Sequence, residues 1–137
     1  MSLLSDQEID YLRSHRLGRL ATTGPAARPH VVPVGYRLED GVVQIGGHDL
    51  EGRGQNRLYL RHLRANPRAA IVVDEVDTRQ GWRPSGILLK GEARLHDSGG
   101  EGLGPGFGPA WLEIVPDYVS SWGIDTSPHE PATPRKA

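Results

Sequence analysis

The run Arg28-Pro29-His30-Val31-Val32-Pro33-Val34-Gly35-Tyr36-Arg37-Leu38-Glu39-Asp40-Gly41-Val42-Val43-Gln44-Ile45 decides the fold. In an extended chain His30, Val32, Val34, Tyr36 and Leu38 share one face, while Val31, Pro33, Gly35 and Arg37 share the other. Asp40-Gly41 is a dipeptide suited to a tight hairpin turn, so residues 42–45 are expected to return as an antiparallel neighbour. Pro33 has no amide to donate. Its strand is therefore expected at a sheet edge, at a bulge, or where a ligand replaces the missing pairing.

The same reading extends outward. Residues 17–23 form a strand closed by Gly24-Pro25, and residues 69–74 are a continuous apolar run of the kind a strand buried on both faces shows. In residues 87–95, Ile87, Leu89, Ala93 and Leu95 face inward and Lys90, Glu92 and Arg94 outward. A last strand or strand pair spans 111–122, interrupted at Pro116-Asp117. Ser5 and Glu8 make a capping box that opens a helix over 6–15, with Ile9 and Leu12 on one face. A second helical pattern over 57–66 stops at Asn66-Pro67, because the residue before proline avoids helical angles.

Residues 98–109, rich in Gly and Pro, read as a flexible loop, and the Pro-rich, charged stretch from Ser127 reads as a disordered tail. The expected organisation is one domain, 1–126, and a tail, 127–137. Its architecture is mainly β: six antiparallel strands closing into a small barrel with two short helices, since closure removes exposed edges.

Composition narrows the function. The 137 residues suit one domain that buries a core without staples, and the chain has no cysteine for a disulfide, a thiolate metal site or a catalytic thiol. Sixteen basic against seventeen acidic residues give a net charge of -1, which offers no overall attraction for nucleic acid. No apolar run is long enough for a membrane helix, and residues 1–10 lack the pattern of a signal peptide. A cytoplasmic protein is expected.

No catalytic motif stands out. The six His lack metal-ligand spacing, there is no GxSxG or phosphate loop, and Gly104-Pro105-Gly106-Phe107-Gly108 carries a proline where a dinucleotide fingerprint cannot. Gly46-Gly47-His48-Asp49-Leu50, leading to Arg53, Arg57 and Arg61, is more informative. Glycines after a strand let a ligand approach the backbone. Arg57, Arg61 and Arg64 share a helix face, which serves either as a phosphate grip or as an ordinary solvated surface. Trp82 and Trp122 either stack on a planar ring, pack at a subunit interface or fill the core.

Taken in order, Leu17-Gly18-Arg19-Leu20-Ala21-Thr22, Arg28 to Val34, Gly46-Gly47-His48, Leu63 to Asp74, Gly86 to Ala93 and Ser121-Trp122-Gly123 resemble the pyridoxamine 5'-phosphate oxidase-like superfamily, the FMN-binding split barrel. The resemblance covers nearly all of 1–126 and is nearest the actinobacterial branch that uses the deazaflavin coenzyme F420, including reductases of antibiotic biosynthesis. It implies a homodimer with the cofactor in a groove between subunits and a hydride passed between the deazaflavin and a small organic substrate. It places Pro29, His30, Val32, Pro33 and Val34 against the ring, and Gly47, His48, Arg53, Arg57 and Tyr59 at the phosphate. Trp82 of the second subunit closes the pocket. The same fold with FMN, as an oxidase or flavin reductase, and a non-enzymatic cofactor or haem binder are the alternatives. Relatives usually carry a Lys-rich entry to the second helix where this chain has Arg57-Leu58-Tyr59, after an apparent insertion at 51–55.

Overall fold

The alternating runs assemble into one antiparallel sheet in the order β2-β1-β5-β6-β7-β4-β3. The computed structural model describes residues 3–48, 57–130 and 134–137. Its elements are α1 (Asp6–Ser14), β1 (Leu17–Thr23), β2 (Pro29–Gly35), β3 (Arg37–Glu39), β4 (Val42–Ile45), α2 (Leu58–Ala65), β5 (Arg68–Asp77), β6 (Arg83–His96), β7 (Trp111–Trp122) and β8 (Arg135–Lys136).

The order explains the curl. β2 and β3 lie at opposite ends of the sheet yet are separated in the chain only by Tyr36, so the two ends must come together there. Tyr36 is held at the seam by its own amide, which donates to Arg16 O at 3.2 Å, and by its hydroxyl, which donates to Leu12 O at 2.6 Å. The expected run over 28–39 is thus one strand that changes partners midway, pairing with β1 as β2 and with β4 as β3. Counted that way the sheet has the six expected runs, joined by the two-residue β8. The class is the expected one: a mainly β, antiparallel, curled half-barrel with two short helices.

The hairpin turn is built as its residues dictate. Asp40 and Gly41 have φ of 51° and 75°, the left-handed backbone that this turn requires at both central positions. In α1 the Ser5 hydroxyl accepts from the Glu8 amide at 3.2 Å while the Ser5 amide donates to the Glu8 carboxylate at 2.9 Å. The core collects the inward residues of every strand, among them Leu20, Val43, Ile45, Ile71, Val73, Ile87, Leu89, Leu112 and Ile114, and Leu12, Leu60 and Leu63 from the helices.

Three expectations change. The run 111–122 is a single strand: its register against β6 shifts between Lys90 and Gly91, where Pro116 faces Gly91 and Tyr118 faces Lys90, leaving Asp117 as the extra residue of a bulge. A proline without an amide and a residue without a partner fit there at no loss of ladder bonds. Residues 98–109 are not a bare loop. They hold a 3-10 turn, Gly100–Leu103, and the Gly108 amide donates to Gly47 O at 2.9 Å. The end of the stretch read as a disordered tail pairs with β7 as β8, through Tyr118↔Lys136 and Val119↔Arg135. Two residues are too few for a periodic signal.

The bulge makes Gly91 irreplaceable. A β-carbon there would lie 2.1 Å from Val115 O, a backbone atom that cannot rotate away. Gly91→Ala is expected to destabilise the fold by about 3 kcal/mol or more, read as the shift of the urea unfolding midpoint. An unchanged midpoint would show that the bulge relaxes freely.

Candidate functional site

β2 is the terminal strand of the sheet, so one of its edges pairs with β1 and, among the described residues, the other carries no strand. Pro33 lies opposite Arg19 in that pairing and stands exposed, as a residue without an amide requires of an edge. His30 and Val32 are half-buried and Val34 is buried, whereas Pro29 and Pro33 point to the exposed face. The five expected ring-side residues therefore occupy both faces of the strand. What they share is its edge, which presents backbone polar groups with side chains on both faces.

His30 is braced from beneath. Its ring makes an edge contact with His62 of α2, centroids 5.4 Å apart, and the buried His62 Nδ1 lies 2.9 Å from Thr22 Oγ1. Gly24 admits this arrangement, since a β-carbon would stand 2.6 Å from His62 Nε2. Sequence reasoning missed His62. Its signal was a polar residue on the buried face of α2, three positions after Tyr59 and next to Leu63.

β4 leads into Gly46, Gly47 and the exposed His48. Arg57 caps α2 and lays its guanidinium against Gly47, where a β-carbon would be 3.0 Å from Nε. That Nε is buried without a hydrogen-bond partner among the described residues. A buried guanidinium nitrogen left unpaired is costly and is normally met by a carboxylate or phosphate oxygen. The residues present therefore fit a ligand with an anionic tail: Gly47 lets it reach the backbone and Arg57 supplies the charge.

The other expected phosphate residues divide. Tyr59 is 5% exposed and belongs to the core, where burial pushes its phenol above the ordinary range. Arg53 lies outside the described residues. Arg61 and Arg64 do not extend the Arg57 grip, for both are exposed and Arg64 lies 3.9 Å from Asp97. Trp82, in the β5–β6 turn, is 68% exposed and takes no part in the core. Trp122 packs flat over Gly86, whose added β-carbon would meet its ring at 2.4 Å. It is a packing residue.

A curled antiparallel sheet with a free edge strand, glycines at the end of β4 and a half-buried arginine beside them is the arrangement of a split barrel. The pyridoxamine 5'-phosphate oxidase family profile matches residues 4–122, and the chain belongs to that family. A 5a,11a-dehydrotetracycline/5a,11a-dehydrooxytetracycline reductase of Streptomyces rimosus subsp. rimosus is 33% identical over 123 residues, which cover 88% of this chain and 84% of the relative. In three dimensions the chain is similar to a conserved hypothetical protein of Mycobacterium tuberculosis, with TM-score 0.67, 20% identity and coverage of 88% and 86% of the two chains. It is also similar to an FAD binding protein of Mycobacterium smegmatis, with TM-score 0.63, 18% identity and coverage of 88% and 96%. No helix among the described residues is long and apolar enough to cross a membrane.

Proposed function

We propose that this chain is a cytoplasmic F420-dependent reductase that works as a homodimer on a small organic substrate with an electron-poor carbon. The observation that carries the reading is the Arg57 guanidinium, buried against Gly47 with Nε unpaired. A phosphate-bearing cofactor supplies what that nitrogen lacks. The 33% identity to a 5a,11a-dehydrotetracycline/5a,11a-dehydrooxytetracycline reductase supports the direction of the chemistry. The ordered motifs from Leu17 to Gly123 favour F420 over FMN.

When bound, the reduced deazaflavin supplies the hydride. The chain supplies the rest. Arg57 holds the anionic tail, and Gly47 keeps the backbone clear for it. The free edge of β2 orients the polar rim of the ring, Val32 and Val34 exclude water beside it, and His30, fixed by His62, borders it. No side chain is required as a nucleophile.

The test is a fluorescence titration of the purified chain with F420 and, separately, with FMN. Quenching of F420 at micromolar concentration, with FMN unaffected, is expected. Tight FMN binding in its place would move the protein to the flavin alternative, and binding of neither would remove the reductase reading. Tight binding without turnover of any enone or quinone would make it a carrier.

The dimer yields its own expectation. An indole 68% exposed at the turn of the β5–β6 hairpin, which also exposes Val76, is apolar surface suited to a subunit interface. Trp82→Ser is expected to weaken self-association by about 2 kcal/mol or more, and with it F420 affinity, in sedimentation equilibrium and titration. An unchanged dimer with unchanged affinity would place Trp82 outside the interface.

A further inference from the structure

A cleft of about 650 Å³ lies away from the groove along β2. It lies between the end of α1, the β3–β4 hairpin and the 103–107 turn, and its size suits a small molecule. Its surface is divided in character. Leu12, Tyr36, Leu38, Leu103 and Phe107 give it an apolar floor and wall. Arg13, Arg16 and Arg37 stand around it, and among the described residues no Asp or Glu lines it.

In a chain of net charge -1 that segregation is notable. Several exposed arginines elsewhere are matched, Arg19 with Asp74 at 2.6 Å, Arg68 with Asp117 at 2.6 Å and Arg79 with Asp77 at 2.8 Å, while Arg28, Arg61, Arg83 and Arg94 stand singly and have no ion pair among the described residues. Among the described residues Arg13 and Arg16 have no ion pair, and Arg37 bonds only the neutral Gln44, through Nε and Nη2 at 3.2 and 3.0 Å. Among the described residues the one carboxylate paired with a lining residue is Glu75, 3.4 Å from His15 Nε2. Unmatched guanidinium groups over an apolar floor suit an organic anion whose ring system lies on the floor.

The wall is fixed in place. Phe107 meets the His48 ring edge-on at 4.9 Å between centroids, and the Gly108 amide bonds Gly47 O. Gly46 has no room for a side chain, since a β-carbon would lie 2.8 Å from the Phe107 ring. The cleft thus shares Gly46 and His48 with the segment whose Gly47 backs Arg57. It also takes in Gly35 and Tyr36 at the end of β2, so a molecule seated in it borders the proposed ring side as well as the proposed tail.

We propose that this cleft is the substrate pocket and that it takes a flat, largely apolar organic acid, held by Arg13, Arg16 and Arg37. That the occupant is the substrate rests on the reductase reading; that the cleft takes an aromatic anion does not. The experiment compares anthracene-2-carboxylate with its neutral counterpart anthracene-2-carboxamide, by fluorescence titration of the full chain and of the Arg16→Gln/Arg37→Gln double variant. The carboxylate is expected to bind at least about tenfold more tightly than the carboxamide, and the double variant to lose about that factor for the carboxylate alone. Saturating F420 should leave carboxylate binding in place.

Both arginines are exposed, so the variant is expected to fold, and the unchanged carboxamide affinity serves as its control. Equal affinity for the two probes, or a double variant that still discriminates, would overturn the proposal. So would a double variant that weakens F420 and not the carboxylate, which would assign the cleft to the anionic end of the cofactor. Selective carboxylate binding by a chain that binds neither F420 nor FMN would remove the reductase reading and leave the anion site standing.

Discussion

Arg135→Ala is expected to destabilise the protein by about 2–3 kcal/mol at neutral pH and by much less in acid. Glu8 is fully buried on α1, and its carboxylate accepts from the Ser121 hydroxyl at 2.5 Å, from the Ser5 amide at 2.9 Å and from the Arg135 guanidinium. Burial by itself raises the Glu8 carboxyl, but the hydrogen bonds from Arg135, Ser121 and Ser5 outweigh it and hold it below its ordinary value of 4.5. Removing the arginine leaves a buried charge with neutral donors only. The cost falls short of that of a fully enclosed pair because the Arg135 side chain is 35% exposed.

The sign follows from the direction of the shift. A carboxyl depressed in the folded state stabilises above its unfolded value, and that contribution is lost as the pH falls through the folded value. The native protein should therefore lose stability in acid as Glu8 protonates. In the variant desolvation dominates, the carboxyl rises, and protonation relieves it. The gap between the two proteins should be widest at neutral pH and close as the pH falls below about 4. Urea unfolding at several pH values measures it. A gap independent of pH would mean that Arg135 acts by packing alone and that Glu8 is not the group it serves.

Arg57→Ala is expected to weaken F420 binding by about 30- to 100-fold, with an unfolding midpoint close to that of the native chain. Nε lacks a partner among the described residues, so its removal forfeits a charge-assisted bond to the ligand. Arg57→Lys should recover only part of the affinity, because an ammonium cannot present the planar fork. Gly47→Ala tests the same contact from the other side: its β-carbon would lie 3.0 Å from Nε and push the guanidinium aside. Isothermal titration with F420 reads all three. Native affinity in Arg57→Ala would remove the anionic tail from this position.

Much of this protein is local and was legible in the chain. The capping box, the Asp40-Gly41 turn, the inward alternation of β6 and the edge placement of Pro33 each follow from residues within a few positions of one another. Gly47 and Arg57 were marked by residue type, and the structure brings them into contact. That Tyr59 lies in the core was not legible, because spacing on a helix does not reveal which face meets the sheet.

By itself, then, the sequence determined the strands, their hairpin, the helix ends and the family. Tertiary structure alone decided that the sheet closes at Tyr36, that Arg135 reaches Glu8 across 127 positions, that His62 lies under His30, and that α1, the β3–β4 hairpin and the 103–107 turn enclose one cleft. The reason is physical. Periodicity records which face of an element is apolar, but it carries no term for which distant element arrives to cover it, and a lone arginine or histidine has no period at all.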